Sequence, residues 1–142
     1  MYTLNPKINN QISIWLVTMF WIISIMIIVG GLTRLTDSGL SMVDWQPILG
    51  IIPPLNNAQW ISVFNDYKLS PEFLYVNKNM SLDEFKYIFW WEWFHRFFAR
   101  LIGVFFILPF FYFYFKKYLS NYLYKRSALI FSLGLIQAFV GW

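Results

Sequence analysis

Uncharged, mostly apolar residues run without a break from Ile8 to Thr33, 26 positions between Lys7 and Arg34. A helix rises about 1.5 Å per residue, so roughly 20 apolar residues cross the hydrocarbon core of a bilayer. The run therefore predicts a spanning helix over about 10–32. It is too long for a signal-peptide core, and no small-residue cleavage site follows it. A second uncharged run, Leu101 to Phe115, has only 15 residues, about 22 Å of helix against about 30 Å of hydrocarbon. Two more turns must come from upstream, which sets the second span at about 93–115. A third run opens a span from about 127 and is still apolar at Trp142, 16 residues after Arg126. The pattern predicts an all-α integral membrane chain with its third span truncated.

Between the first two spans the pattern breaks into short helical pieces. Asn56, with Gln59 three positions on, is an N-cap signal for a helix near 57–67. Ser70-Pro71-Glu72 combines a cap, a proline at the first helical position and an early acid, and predicts a short turn of helix. Ser81-Leu82-Asp83-Glu84 reads as a capping box opening a helix that leads to Trp90, Trp91 and Trp93. Tryptophans there suit the belt where a helix enters lipid. Gly30-Gly31 and Asp37-Ser38-Gly39 signal turns, and Pro53-Pro54 an extended stretch.

Charge orients these elements. All seven acidic residues, Asp37, Asp44, Asp66, Glu72, Asp83, Glu84 and Glu92, fall between the first and second apolar runs. The segment 116–126 carries Lys116, Lys117, Lys125 and Arg126 with no acid. Short loops rich in lysine and arginine stay in the cytoplasm. The N-terminus and loop 116–126 are thus expected inside, and the segment of about 34–92 outside, across a bacterial cytoplasmic (inner) membrane rather than a mitochondrial one. The chain is 58% hydrophobic, 23% aromatic and 13% charged, with a net charge of +4; a soluble domain carries about 25% charged residues. The positive balance follows topology, not nucleic acid, because no basic stripe interleaved with aromatics runs along a soluble surface. The chain has no cysteine, which excludes disulfides, cysteine-held clusters and covalent haem attachment in this stretch.

The candidate chemistry lies where the second span enters the bilayer. At about 100° per residue, Glu92, His95, Arg96, Ala99 and Gly103 share one stripe of that helix, with Arg100 at its margin. Ionisable groups at membrane depth are costly and face a bundle interior with a task. Snorkelling to the interface accounts for Arg96 and Arg100, but not for a glutamate and a histidine aligned with them. A neutral imidazole is a haem-iron ligand, small residues one and two turns deeper leave room for a flat macrocycle, and guanidinium groups pair with propionates. Glu92, one turn outward, is placed to orient the imidazole or to pass protons. A quinone site or a proton channel would use the same residue types. No span is broken at its midpoint by a charged unwound stretch, which sets a transporter aside.

The run Gly30 to Met42, followed by Trp45, Pro47, Gly50 and Pro53-Pro54, resembles the heme A synthase family. So do Pro71-Glu72, the run Met80 to Lys86, Glu92-x-x-His95-Arg96, Arg100, Gly103 and Gln137-x-x-x-Gly141-Trp142. The resemblance runs in order from about residue 30 to the end, in the form with a long first outward loop and no cysteine pair. It implies an eight-helix protein of two similar four-helix bundles, each with a pair of histidines facing a haem, of which this chain is the N-terminal part. It implies oxidation of a ring methyl of haem O to the formyl of haem A, in two hydroxylation steps, for cytochrome c oxidase biogenesis. Haem b is expected in the C-terminal bundle and haem O, as substrate, in this one.

On that mapping His95 is one of two haem histidines here, and Glu92 matches the glutamate implicated in the reaction. Arg34, Arg96 and Arg100 match basic positions near the site. Ala99 stands where the family usually has glycine, and the added methyl is expected either to tighten the pocket or to shift the ring. The expected partners are haem O and haem A, the lipid bilayer, haem O synthase or oxidase assembly factors, and a further copy of the chain in a homo-oligomer. The alternative is a non-catalytic haem-binding membrane protein, an electron carrier or assembly factor. Half of one ligand pair predicts that the fragment alone is inactive.

Overall fold

The computed structural model describes residues 5–43 and 51–140. Its helices are α1 (Pro6–Leu35), α2 (Asn57–Lys68), α3 (Pro71–Tyr75), α4 (Leu82–Phe115) and α5 (Asn121–Val140); among the described residues there is no strand. The motif residues Trp45, Pro47, Gly50, Gly141 and Trp142 lie outside the described residues. Helices α1, α4 and α5 are long and apolar enough to cross a membrane. The 34 residues of α4 make about 51 Å of helix, well beyond the hydrocarbon thickness of about 30 Å. It is one continuous helix, longer than a single crossing needs. Helix α5 opens at Asn121, inside the segment expected as loop 116–126, with Ser120 Oγ accepting from the Leu123 N–H at 3.3 Å. Lys125 and Arg126 therefore ride on a helix, Arg126 lying 5.1 Å above the Tyr122 ring. Basic residues mark a membrane side, and they do not mark where a helix starts.

The chain divides into two compact units, and α1 and α4 each contribute to both. The first comprises Met1–Ile23 and Leu101–Trp142. Its core is Ile12, Trp15 and Met19 of α1 against Phe106, Phe110 and Phe113 of α4, with Phe131 of α5 packed alongside. In lipid there is no hydrophobic drive between helices, so packing and interhelical hydrogen bonds hold them. One such bond explains how α4 tolerates Pro109 in its interior. Proline has no N–H for the carbonyl four residues back, which is that of Phe105. The Trp15 indole N–H donates to the Phe105 carbonyl at 3.0 Å and takes the missing donor's place. Trp15 is also buried, in tilted contact with the Phe106 and Phe113 rings at 5.5 and 5.6 Å.

The second unit is Ser24–Arg100. It holds an aromatic core of Trp60, Phe64 and Tyr67 from α2 with Phe85, Ile88 and Phe89 from α4. Tyr67 and Phe85 are fully buried and stack at 5.0 Å. Burial pushes the Tyr67 phenol above its ordinary range, opposed by the bond that Asn77 Nδ2 donates to Tyr67 Oη at 2.9 Å. The expected caps are formed. Asn56 Oδ1 accepts from the Gln59 N–H at 2.9 Å, Ser70 Oγ from the Phe73 N–H at 3.2 Å, and Ser81 Oγ from the Glu84 N–H at 3.3 Å. Glu84 Oε2 closes the last box by accepting from the Ser81 N–H at 2.8 Å.

The turn after α1 differs from its expected form. Asp37-Ser38-Gly39 was expected as a turn, and its left-handed position falls on Asp37, at φ 49°. The Ser38 N–H reaches back to the Thr33 carbonyl at 2.9 Å and the Asp37 N–H to that of Arg34 at 3.3 Å. This paired closure satisfies carbonyls that the helix end would leave open. Lys117, at φ 55°, closes α4 in the same way, with Tyr118 N–H to Phe113 and Lys117 N–H to Tyr114, both 2.9 Å. Two non-glycine residues in that conformation show how strongly each turn is held by what surrounds it.

Candidate functional site

The turn closed by Asp37 delivers Ser38 and Ser41 into the protein, at 0% and 1% exposure. Opposite them on α4 is Glu92, 3% exposed. Glu92 Oε2 accepts from the Ser41 N–H at 2.7 Å, from Ser41 Oγ–H at 2.7 Å and from the Met42 N–H at 2.9 Å. Glu92 Oε1 accepts from Arg96 Nε at 2.9 Å and Arg96 Nη2 at 2.5 Å. Glutamate and arginine four residues apart share a helix face, so the α-helical register of α4 makes the ion pair and the α1 turn completes it. A buried carboxylate is tolerable when it is paired and fully hydrogen-bonded, and this one is both.

His95, half-buried, lies one residue before Arg96 and faces α1. A Cβ built at Gly30 would stand 3.4 Å from His95 Nε2 and 3.5 Å from Cδ2. That is ordinary contact, so the imidazole lies against this face of α1 with room for a methyl at residue 30 but little more. Gly30 was expected to mark a turn; it is inside α1. One turn further along the same α4 stripe, Ala99 is exposed.

The other basic candidates are distributed differently. Arg34, in the last turn of α1, lines a recess of about 330 Å³ with Thr33, Asp37, Gly39, Leu40 and Glu72. Arg100 is partly buried one turn beyond Arg96 on α4. The structure thus joins Glu92 to Arg96 and sets His95 against Gly30, while Arg34 keeps acidic company in its own recess. Sequence reasoning missed Ser41 and the Met42 N–H. A small polar residue between Leu40 and Met42 was the only local signal, and its partner is 51 residues away. Trp93, read as an interface anchor, also donates its indole N–H to the Ile51 carbonyl at 3.1 Å, and stacks on Phe97 at 5.1 Å.

The sequence profile of the COX15-CtaA family, described as cytochrome oxidase assembly protein, matches residues 13–142. The chain belongs to that family. Among curated relatives, the heme A synthase of Rhodopseudomonas palustris strain BisA53 is 50% identical over 133 residues, covering 94% of this chain and 37% of the relative. The heme A synthase of Flavobacterium psychrophilum is 44% identical, covering 96% of this chain and 41% of the relative. That of Nitrosospira multiformis is 47% identical, covering 95% and 38%. The chain thus spans about two fifths of the length of these relatives. No solved structure matches it. With three helices fit to cross a bilayer and bacterial relatives of this kind, it is a multi-pass inner-membrane protein.

Does the site suit haem? Among the described residues no group of three histidine, cysteine or acidic side chains gathers to hold a bare metal ion. A single imidazole beside small residues suits an iron whose other ligands come with a flat macrocycle. His95 is the one histidine of the chain, so the chain can offer one axial ligand and no pair. The residues fit half of a haem site.

Proposed function

We propose that this chain forms the substrate-haem half of a heme A synthase, holding haem O while one ring methyl is oxidised to the formyl group of haem A. The observation that carries the reading is the relatives' alignment across nearly the whole chain, to proteins named heme A synthase. The geometry supports it with an imidazole, a guanidinium and the small exposed side chain of Ala99 on one stripe of α4. In this reading His95 ligates the iron of the substrate, and Arg96, Arg100 and Arg34 meet carboxylates at the porphyrin edge. Haem b serves the second bundle of an eight-helix protein. The haem iron supplies the oxidising chemistry; this chain's residues bind and orient the ring and keep water from it. The N-terminus and residues 116–126 lie on the cytoplasmic side, so the Glu92–His95 stripe opens toward the outer face. Haem O synthase and oxidase assembly factors are the exchange partners, upstream and downstream.

The test is His95→Ala in the protein expressed from its own gene at full length. Axial identity governs both the spectrum and the retention of a haem. Haem A output should be lost, and the haem of this bundle should be loosened or altered in its Soret band. Haem extraction and chromatography read the first, and absorption spectra the second. Normal haem A output from that variant would sink the assignment.

A further inference from the structure

Glu92 is the one buried acid of this site, and its geometry speaks to its role. A carboxylate has about four lone-pair positions. Among the described residues five donors converge on them, three from the turn after α1 and two from Arg96. Both oxygens are in use, and the residue is 3% exposed. A group that exchanges protons with a substrate needs a lone pair that can face it, or a water chain that can reach it. A carboxylate serving as an anchor needs what is seen here, a full set of fixed donors from two parts of the chain.

The donors are themselves fixed. The Ser41 N–H and hydroxyl approach one oxygen together, and Ser41 sits in a turn already closed by the bond from Ser38 N–H to Thr33. Thr36 and Ser38 hydroxyls bond one another within that turn. On the other side, Arg96 follows His95 directly in α4, so the turn of helix that Glu92 ties to the Ser38–Met42 turn leads straight into the one that carries the imidazole and the guanidinium.

We propose that Glu92 is a positioning residue, tying the Ser38–Met42 turn to Arg96 so that Arg96 and His95 are presented to the haem at fixed depth, with Ser41 as its partner in that task. The role assigned to His95 and Arg96 rests on the function proposed above. The groups that touch the ring are then the imidazole and the guanidinium, and Glu92 acts through them. Ser41 becomes a residue of the site although it never contacts the substrate.

The experiment uses the protein expressed from its own gene at full length, in lipid nanodiscs, as wild type, Ser41→Ala and Glu92→Gln. It has three readouts: amide exchange at Ser41 and Met42, the Soret band with bound haem O, and the pH profile of haem A formation. Glu92→Gln should speed exchange of both amides about tenfold or more, the scale of losing charge-assisted bonds, and shift the Soret band while haem still binds. Ser41→Ala removes no acid but should move exchange and the Soret band in the same direction, by a smaller factor. It should also lower turnover with an unchanged pH profile. Combining the two should be no worse than Glu92→Gln alone. The proposal is overturned if Glu92→Gln stops turnover with the exchange and Soret band of wild type, or if Ser41→Ala leaves all three readouts untouched. Should the wild type make no haem A, the function proposed above falls, while the exchange arm still decides whether Glu92 holds the turn.

Discussion

Trp15 and Pro109 offer a sharp test of how this membrane bundle is held. Trp15→Phe keeps an aromatic ring against Phe106 and Phe113 but removes the N–H that serves the Phe105 carbonyl. That carbonyl has no intrahelical donor because residue 109 is proline. Interhelical hydrogen bonds in membranes average about 0.6 kcal/mol and reach about 1.7, and an abandoned buried acceptor costs about 1–3 kcal/mol. With no water at hand, the loss should be about 1–2 kcal/mol. Pro109→Ala returns a backbone N–H to the Phe105 carbonyl. In that background Trp15→Phe should be nearly harmless, giving a coupling of about 1 kcal/mol between the two sites. The measurement is unfolding in mixed micelles with increasing SDS, followed by far-ultraviolet circular dichroism, for all four members of the cycle. If Trp15→Phe cost the same in both backgrounds to within about 0.3 kcal/mol, the indole would not be substituting for the proline's missing donor.

Two further outcomes are expected. Gly30→Ala should be accepted, because its methyl would stand 3.4 Å from His95 Nε2 in ordinary contact; Gly30→Leu should overpack the imidazole by about 1–3 kcal/mol, weakening haem binding by roughly 5- to 150-fold in a Soret titration, and unchanged affinity there would remove Gly30 from the site. A single cysteine introduced at Asn121 should resist a membrane-impermeant thiol reagent applied from the periplasmic face, whereas efficient labelling would overturn the charge-based orientation.

Much of this architecture is legible because its signals are local. The three caps at Asn56, Ser70 and Ser81 are set by residues within three positions, and each forms as expected. The spans are legible because length and apolarity are summed over many residues. What stays hidden depends on distance. The partnership of Ser41 with Glu92 crosses 51 positions, and that of Trp15 with Phe105 crosses 90. The turn at 37–39 was visible as a turn, but not which residue takes its left-handed position; in the structure it is Asp37, with the Ser38 N–H reaching back to the Thr33 carbonyl. Glu92 and His95 were found as a stripe, yet the direction of each side chain off that stripe was not, because a helical wheel has no neighbours in it.

The stripe itself extends further outward than Glu92. Phe85, Ile88, Phe89 and Glu92 are the buried residues of α4 above His95, and their spacing of three and four puts them on one helix face. Over two turns that face packs into the aromatic layer with Trp60, Phe64 and Tyr67. At Glu92 it changes from apolar to charged, and one turn later it carries the imidazole and the guanidinium. A continuous α-helix transmits rotation with little loss, so the aromatic layer fixes the azimuth of α4 and therefore of His95. The turn at Ser38–Met42 fixes the same helix a second time, by hydrogen bonds instead of packing. Two independent constraints on one short length of helix are more than a simple loop between spans would need. On the function proposed above, they suit a flat ring held by a single imidazole from this chain, since one ligand alone leaves the ring free to pivot.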